Sequence, residues 1–146
     1  MPTRTARTAW NGGLQDGSGQ VELSSSGAGT FDVSFPRRAA DDAEGVTSPE
    51  ELIAAAHSAC YSMALSNEIA KAGGTPVALD VTASVTLGQA DGKSTITSIK
   101  LTVRGEVSDL DEAGFAAAAA AAKAGCPVSR ALAGVPEITL DAALES

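Results

Sequence analysis

The chain has 146 residues, the size of a single domain with its own core, and sets 10 Lys and Arg against 18 Asp and Glu for a net charge of −8. That balance excludes a partner held through nucleic-acid phosphates and a polybasic membrane-surface mode, and with aromatics at 3% there is little to stack on bases. No run approaches the ~20 apolar residues of a membrane span, and Met1-Pro2-Thr3-Arg4 leads into Trp10-Asn11-Gly12-Gly13, not into an apolar export segment, so the expected compartment is the cytoplasm.

Read in chain order, the first third is strand-like with Gly and Ser punctuation. Residues 5–10 and 20–24 are expected as short strands, and 25–29 as a turn. Residues 30–35 alternate, with Phe31, Val33 and Phe35 on one face, until Pro36 ends the strand. Residues 37–46 are polar and expected as a surface loop. A long helix follows. Ser48 is its cap, Pro49 suits its first position, and Glu50 and Glu51 favour its positive end. Ser48 and Glu51 have capping-box spacing. Leu52, Ile53, Ala56, Ala59, Cys60, Met63 and Ala64 form its apolar stripe, and Gly73-Gly74 stops it.

Beyond Pro76 the period changes to two. Val77, Leu79, Val81, Ala83, Val85 and Leu87 share a face, Asp91-Gly92 marks a hairpin turn, and the strand returns over 94–107. A phase change between Ile96 and Ile99 predicts a bulge. Residues 109–125 form an Ala-rich helix thin enough for close approach. Residues 127–133 make a short third helix and 137–144 a last strand. The order gives one α+β domain over 1–146 with mostly antiparallel pairing. The first long helix, apolar on much of its surface, is expected to be central and covered in part by a second subunit.

Two cysteines are too few for a disulfide scaffold, and in a reducing compartment they are candidates for catalysis, redox work or metal binding. Cys60 lies within the apolar helix. Cys126 lies where Gly125 ends one helix and Pro127 opens the next, near free backbone N–H groups that favour a thiolate. Arg37 or Arg38 can lower a thiol pKa and fork onto a carboxylate, for which Glu50 is the candidate. His57, three residues before Cys60, has three readings: a core histidine, a base for Cys60, or a zinc ligand with both cysteines. The zinc set lacks a clear fourth ligand. Inert buried cysteines are the plain alternative.

The run from Ser48-Pro49-Glu50-Glu51-Leu52 through His57-Ser58-Ala59-Cys60-Tyr61-Ser62-Met63 resembles the first-cysteine helix of the osmotically inducible protein C (OsmC) family, related to the organic hydroperoxide resistance (Ohr) proteins. Ala124-Gly125-Cys126-Pro127-Val128-Ser129-Arg130 resembles its second-cysteine segment. The resemblance implies antiparallel sheets wrapping central helices in an intertwined homodimer. It implies a thiol peroxidase that reduces organic hydroperoxides, and hydrogen peroxide more slowly, with no cofactor and no metal. By motif, Cys60 is the peroxidatic cysteine, Cys126 the resolving one and Glu50 the active-site carboxylate. The arginine is Arg38, from Phe35-Pro36-Arg37-Arg38, with Arg37 the alternative. The implied partners are an organic hydroperoxide, a dithiol reductant (a lipoylated protein or a small thiol) and a second copy of the chain. A non-enzymatic stress protein with a reversible Cys60–Cys126 sensor disulfide is the competing reading.

Overall fold

The computed structural model describes residues 1–145, which form six strands and four helices in the order βββααββααβ. The chain divides into two compact units, Met1–Leu52 and Ile53–Ser146.

In the first unit β1 (Arg7–Asn11), β2 (Ser18–Glu22) and β3 (Thr30–Val33) make an antiparallel sheet in that order. The strand expected to reach Phe35 stops earlier. Ser34 takes an extended conformation and its hydroxyl accepts from the Arg37 N–H at 3.3 Å, capping a short helix, α1 (Phe35–Ala39). Pro36 sits in the first turn, where its missing N–H costs nothing. Arg37 and Arg38 therefore lie in the last turn of a helix and not in the open loop that their polarity suggested. Phe31, expected to share a face with Val33 and Phe35, is exposed.

The long helix α2 (Pro49–Lys71) starts in the first unit and continues in the second. The Ser48 hydroxyl accepts from the Glu51 N–H at 3.1 Å, but the Glu51 carboxylate accepts from the Thr47 hydroxyl instead of closing the capping box. At the far end Gly73, at a φ of 92°, turns the chain so that the Gly74 N–H reaches the Ile69 carbonyl at 3.0 Å. The buried side of α2 differs from the expected stripe. His57, Tyr61, Leu65 and Ile69 are sealed, whereas Ala56 and Ala59 are exposed and Met63 is 73% exposed. An i, i+4 ridge of large side chains buries far more area than a row of alanines, and that difference sets the rotation of the helix.

In the second unit β4 (Thr75–Ala90) and β5 (Lys93–Ser108) form a long hairpin. Asp91 and Gly92, at φ 52° and 73°, make its left-handed turn. The expected bulge is present: Thr86 faces Ser98 and Leu87 faces Ile96, leaving Thr97 extra. A second irregularity between Pro76 and Ala78 turns Val77 outward, against expectation. From β5 the chain passes through α3 (Glu112–Gly125) and α4 (Pro127–Ala131) and returns as β6 (Glu137–Leu144), parallel to β5. Leu101 and Val103 pack with Tyr61, Leu65, Ile69, Phe115 and the small face of α3 into one core. Alanines on that face let α2 come close enough for the Tyr61 hydroxyl to donate to the Ala119 carbonyl at 2.9 Å. Gly105 serves the same closeness on the strand side, since a Cβ there would lie 2.8 Å from the Phe115 ring.

Candidate active site

The first unit holds an ion pair. Arg38 Nε donates to both Glu50 oxygens at 3.0 and 3.2 Å, and its Nη2 donates to Oε1 at 2.7 Å. Glu50 is buried and Arg38 half-buried. A fork of this kind fixes the plane of the guanidinium, and the bonds to Glu50 raise the Arg38 pKa above its ordinary value against partial desolvation. Arg37 turns the other way, pairing with the exposed Glu44 at 3.0 Å. Beside Arg38 lies a cavity of about 520 Å³, mostly apolar, with Trp10, Leu14, Val21, Phe35 and Leu52 among its walls.

The second unit holds the sulfurs. Cys126 is fully buried and forms the joint between two helices. Its N–H closes α3 on the Ala122 carbonyl at 2.8 Å, and its carbonyl accepts from Arg130 N–H at 3.0 Å to open α4. Pro127, lacking an N–H, begins the new helix, so the next amides are free to point at sulfur. The Val128 amide favours the thiolate form of both cysteines, and the Ser129 amide and hydroxyl favour that of Cys126. Cys60, on α2, is partly exposed, and its thiol and that of Cys126 shift each other's pKa; both thiols are free. Burial is the largest influence on each. It raises the Cys60 pKa, and the Val128 amide offsets it only in part. At Cys126 burial is outweighed by the donors of Ser129, Cys60 and Val128, and the pKa falls below that of an ordinary thiol.

His57 is fully buried, and its Nε2 lies 2.7 Å from the Ser129 hydroxyl oxygen. Burial lowers its pKa and keeps the ring neutral. Among the described residues no cluster of three or more His, Cys, Asp or Glu side chains could hold a metal ion, so the three-ligand zinc reading of His57, Cys60 and Cys126 finds no such cluster. The structure thus brings Arg38 to Glu50 within one unit, and Cys60, Cys126 and His57 together within the other. The Ser129 hydroxyl carried no role in the sequence reading. A Ser three positions after a Cys that opens a helix is the signal that could have singled it out.

A sequence model of the family described as OsmC-like protein matches residues 41–141. The chain is 42% identical over 137 residues to the peroxiredoxin OsmC of Escherichia coli K12, covering 94% of this chain and 93% of that one, and equally so to that of Shigella flexneri. Among solved structures, an organic hydroperoxide resistance protein from Elizabethkingia anophelis superposes with a TM-score of 0.76 at 26% identity, covering 99% of this chain and 98% of that one. OhrB of Bacillus subtilis gives 0.71 at 27%, covering 95% and 98%. No helix among the described residues is long and apolar enough to cross a membrane.

Proposed function

The chain belongs to the OsmC-like protein family and is a peroxidase, and on that premise we propose that it reduces organic hydroperoxides to alcohols by a two-cysteine cycle. The observation that carries this reading is the pair of free thiols, Cys60 and Cys126, which come from distant parts of the sequence and shift each other's pKa.

Exposure separates their roles. A peroxide must reach the attacking sulfur, and Cys60 is partly open while Cys126 is sealed. The Cys60 thiolate attacks one peroxide oxygen and the O–O bond breaks. The alkoxide takes a proton and leaves as the alcohol, and Cys60 becomes a sulfenic acid. Cys126 then attacks the Cys60 sulfur, the S–S bond forms and water leaves. A dithiol reductant, itself oxidised to a disulfide, restores both thiols. Burial opposes ionisation of Cys60, so the thiolate calls for a cation. The reading assigns that role to Arg38, which Glu50 orients. The solved structures of organic hydroperoxide resistance proteins that this chain resembles support an organic peroxide as substrate. The same reading has the enzyme acting in the cytoplasm as a homodimer, with a lipoylated protein or a small dithiol as reductant.

The test is consumption of cumene hydroperoxide with dithiothreitol. Cys60→Ser is expected to abolish turnover. Cys126→Ser is expected to consume one equivalent and then accumulate sulfinic Cys60, visible by mass. Turnover by Cys60→Ser at the wild-type rate would overturn the cycle, and a higher kcat/KM for hydrogen peroxide than for cumene hydroperoxide would overturn the substrate class.

A further inference from the structure

We propose that His57 and Tyr61 are positioning residues for the disulfide step: from one face of α2 they clamp the joint that carries Cys126 at two points, one on each side of it, and so keep that joint in register with Cys60. This deepens the two-cysteine reading and rests on it for its place in the cycle, while the clamp itself is a feature of the reduced chain.

The argument starts from which polar side chains are sealed. Among the described residues two side-chain hydrogen bonds are buried. His57 Nε2 lies 2.7 Å from the Ser129 hydroxyl oxygen. The Tyr61 hydroxyl donates to the Ala119 carbonyl at 2.9 Å. Both bonds leave α2, and both end on the helices that meet at Cys126. Ala119 lies about two turns before Cys126 along α3, and Ser129 lies in the first turn of α4. His57 and Tyr61 are spaced i, i+4 and so share a face of α2. Cys60 precedes Tyr61 directly and packs against the core cluster to which Tyr61 and Cys126 belong. The two bonds therefore bracket both cysteines, with His57 and Tyr61 around Cys60 and with Ala119 and Ser129 around Cys126.

A joint between two helices can bend. Here Pro127 withdraws one N–H from it, and Cys126 caps α4 without a side-chain hydrogen bond. Its own bonds are to backbone, from the Cys126 N–H to the Ala122 carbonyl and from the Arg130 N–H to the Cys126 carbonyl. Neither ties the joint to α2. Apolar packing fills the space between the helices but has no direction. A buried hydrogen bond fixes a distance and a direction, and breaking it strands a polar group. One such bond would leave the joint free to pivot about it. Two, on opposite sides of Cys126, do not. The His57 ring commits itself fully to this contact, since its Nδ1 is buried with no partner among the described residues. The consequence falls on the second step of the cycle, because a disulfide accepts only a narrow range of backbone separations. Cys126 as thiolate forms the S–S bond with the Cys60 sulfenic sulfur. The S–O bond breaks, and the oxygen leaves as water with the proton that Cys126 gave up on ionising.

The experiment measures the dithiol–disulfide equilibrium of the full chain with no peroxide present. The protein is equilibrated with defined ratios of reduced and oxidised dithiothreitol. Two electrons and two protons pass from Cys60 and Cys126 to oxidised dithiothreitol as the protein disulfide forms, and alkylation followed by mass measurement counts the thiols left. Ser129→Ala, His57→Phe and Tyr61→Phe are each expected to lower the equilibrium constant for the protein disulfide roughly tenfold, a shift of about 30 mV towards easier reduction. His57 and Ser129 share one bond, so combining His57→Phe with Ser129→Ala is expected to lose no more than either alone. Combining Tyr61→Phe with Ser129→Ala removes two separate bonds and is expected to lose roughly a hundredfold. His57→Gln, which keeps a donor near the Nε2 position, is expected to stay close to the parent. After one equivalent of cumene hydroperoxide, disulfide formation is expected to slow about tenfold in the single variants, while the Cys60 sulfenic acid forms at the parent rate. Parent-like potentials in Ser129→Ala and Tyr61→Phe overturn the clamp, as does a hundredfold loss on combining His57→Phe with Ser129→Ala. Should His57→Phe fail to fold, Ser129→Ala and Tyr61→Phe, each of which removes one hydroxyl, decide the matter. A parent chain that forms no Cys60–Cys126 disulfide fails the two-cysteine reading, whereas a parent that forms one at the same potential as its variants fails the clamp alone.

Discussion

Arg37 and Arg38 are adjacent and chemically identical, yet the structure gives them opposite surroundings. Arg38 forks onto buried Glu50, whereas Arg37 holds exposed Glu44 across a loop. Surface pairs contribute little. Arg37→Met is accordingly expected to leave kcat/KM for cumene hydroperoxide within about twofold, while Arg38→Met lowers it by roughly 10²-fold, the usual scale for removing one preorganised donor from a site. Arg38→Lys is expected to recover only part of that loss, because an ammonium cannot make the fork. Equal effects at Arg37 and Arg38 in a steady-state assay would contradict the assignment. His57 gives a prediction of a different kind. Its pKa in the fold lies below the ~6.5 of an unfolded chain. Below that pH the unfolded chain binds a proton that the folded chain refuses, so folding is favoured less as pH falls and the full contribution is present above it. Urea unfolding at pH 7.5 and 5.5 is expected to show a larger loss for the wild type than for His57→Gln, with a ceiling of about 1.4 kcal/mol per pH unit.

At the scale of elements, the sequence was informative wherever a boundary is local. Ser48-Pro49 and Gly73 bound α2 because capping and a left-handed C-terminal glycine need only their neighbours. Asp91-Gly92 and the Ile96–Ile99 phase change located the hairpin and its bulge for the same reason. The α1 helix was hidden because one serine cap, easily read as strand, decides it. The buried face of α2 was hidden because His57 and Tyr61 count as polar in a hydropathy pattern, although each becomes buried by finding one distant partner, Ser129 and the Ala119 carbonyl. Motif singled out Cys60, Cys126, Arg38 and Glu50, and of these the Arg38–Glu50 pairing is what the structure shows. The Ser129 hydroxyl was not singled out, because its role exists only through a contact spanning 72 positions. The α2 register makes its own prediction. Leu65→Ala, in the sealed ridge, is expected to cost about 2–5 kcal/mol, and Met63→Ala less than about 0.5 kcal/mol for the isolated fold. Thermal unfolding of the two variants checks it, and similar losses would mean that the helix faces the core with its other side. Gly105→Ala, driving a Cβ against the Phe115 ring, is expected to destabilise by about 1–3 kcal/mol.

For the whole molecule, the balance is between apolar surface and charge. The first unit leaves Trp10, Leu14 and Phe31 exposed, and the second leaves Met63 and Val77 exposed. The proposed homodimer would cover exposed apolar side chains of this kind. Each 14.5 kDa chain carries −8, so two chains meet against a net repulsion. Salt screens that repulsion, with a Debye length falling from ~30 Å at 0.01 M to ~8 Å at 0.15 M, and leaves apolar burial largely untouched. Light scattering is therefore expected to give twice the chain mass, with tighter association at 0.15 M salt than at 0.01 M. Met63→Glu, adding a charge to an apolar position, is expected to shift the population toward single chains and to weaken the salt-strengthened dimer most at 0.01 M. A mass of one chain at every concentration and salt would remove the homodimer. Association that weakens as salt rises would keep a dimer but assign its interface to ion pairs instead of to these apolar side chains.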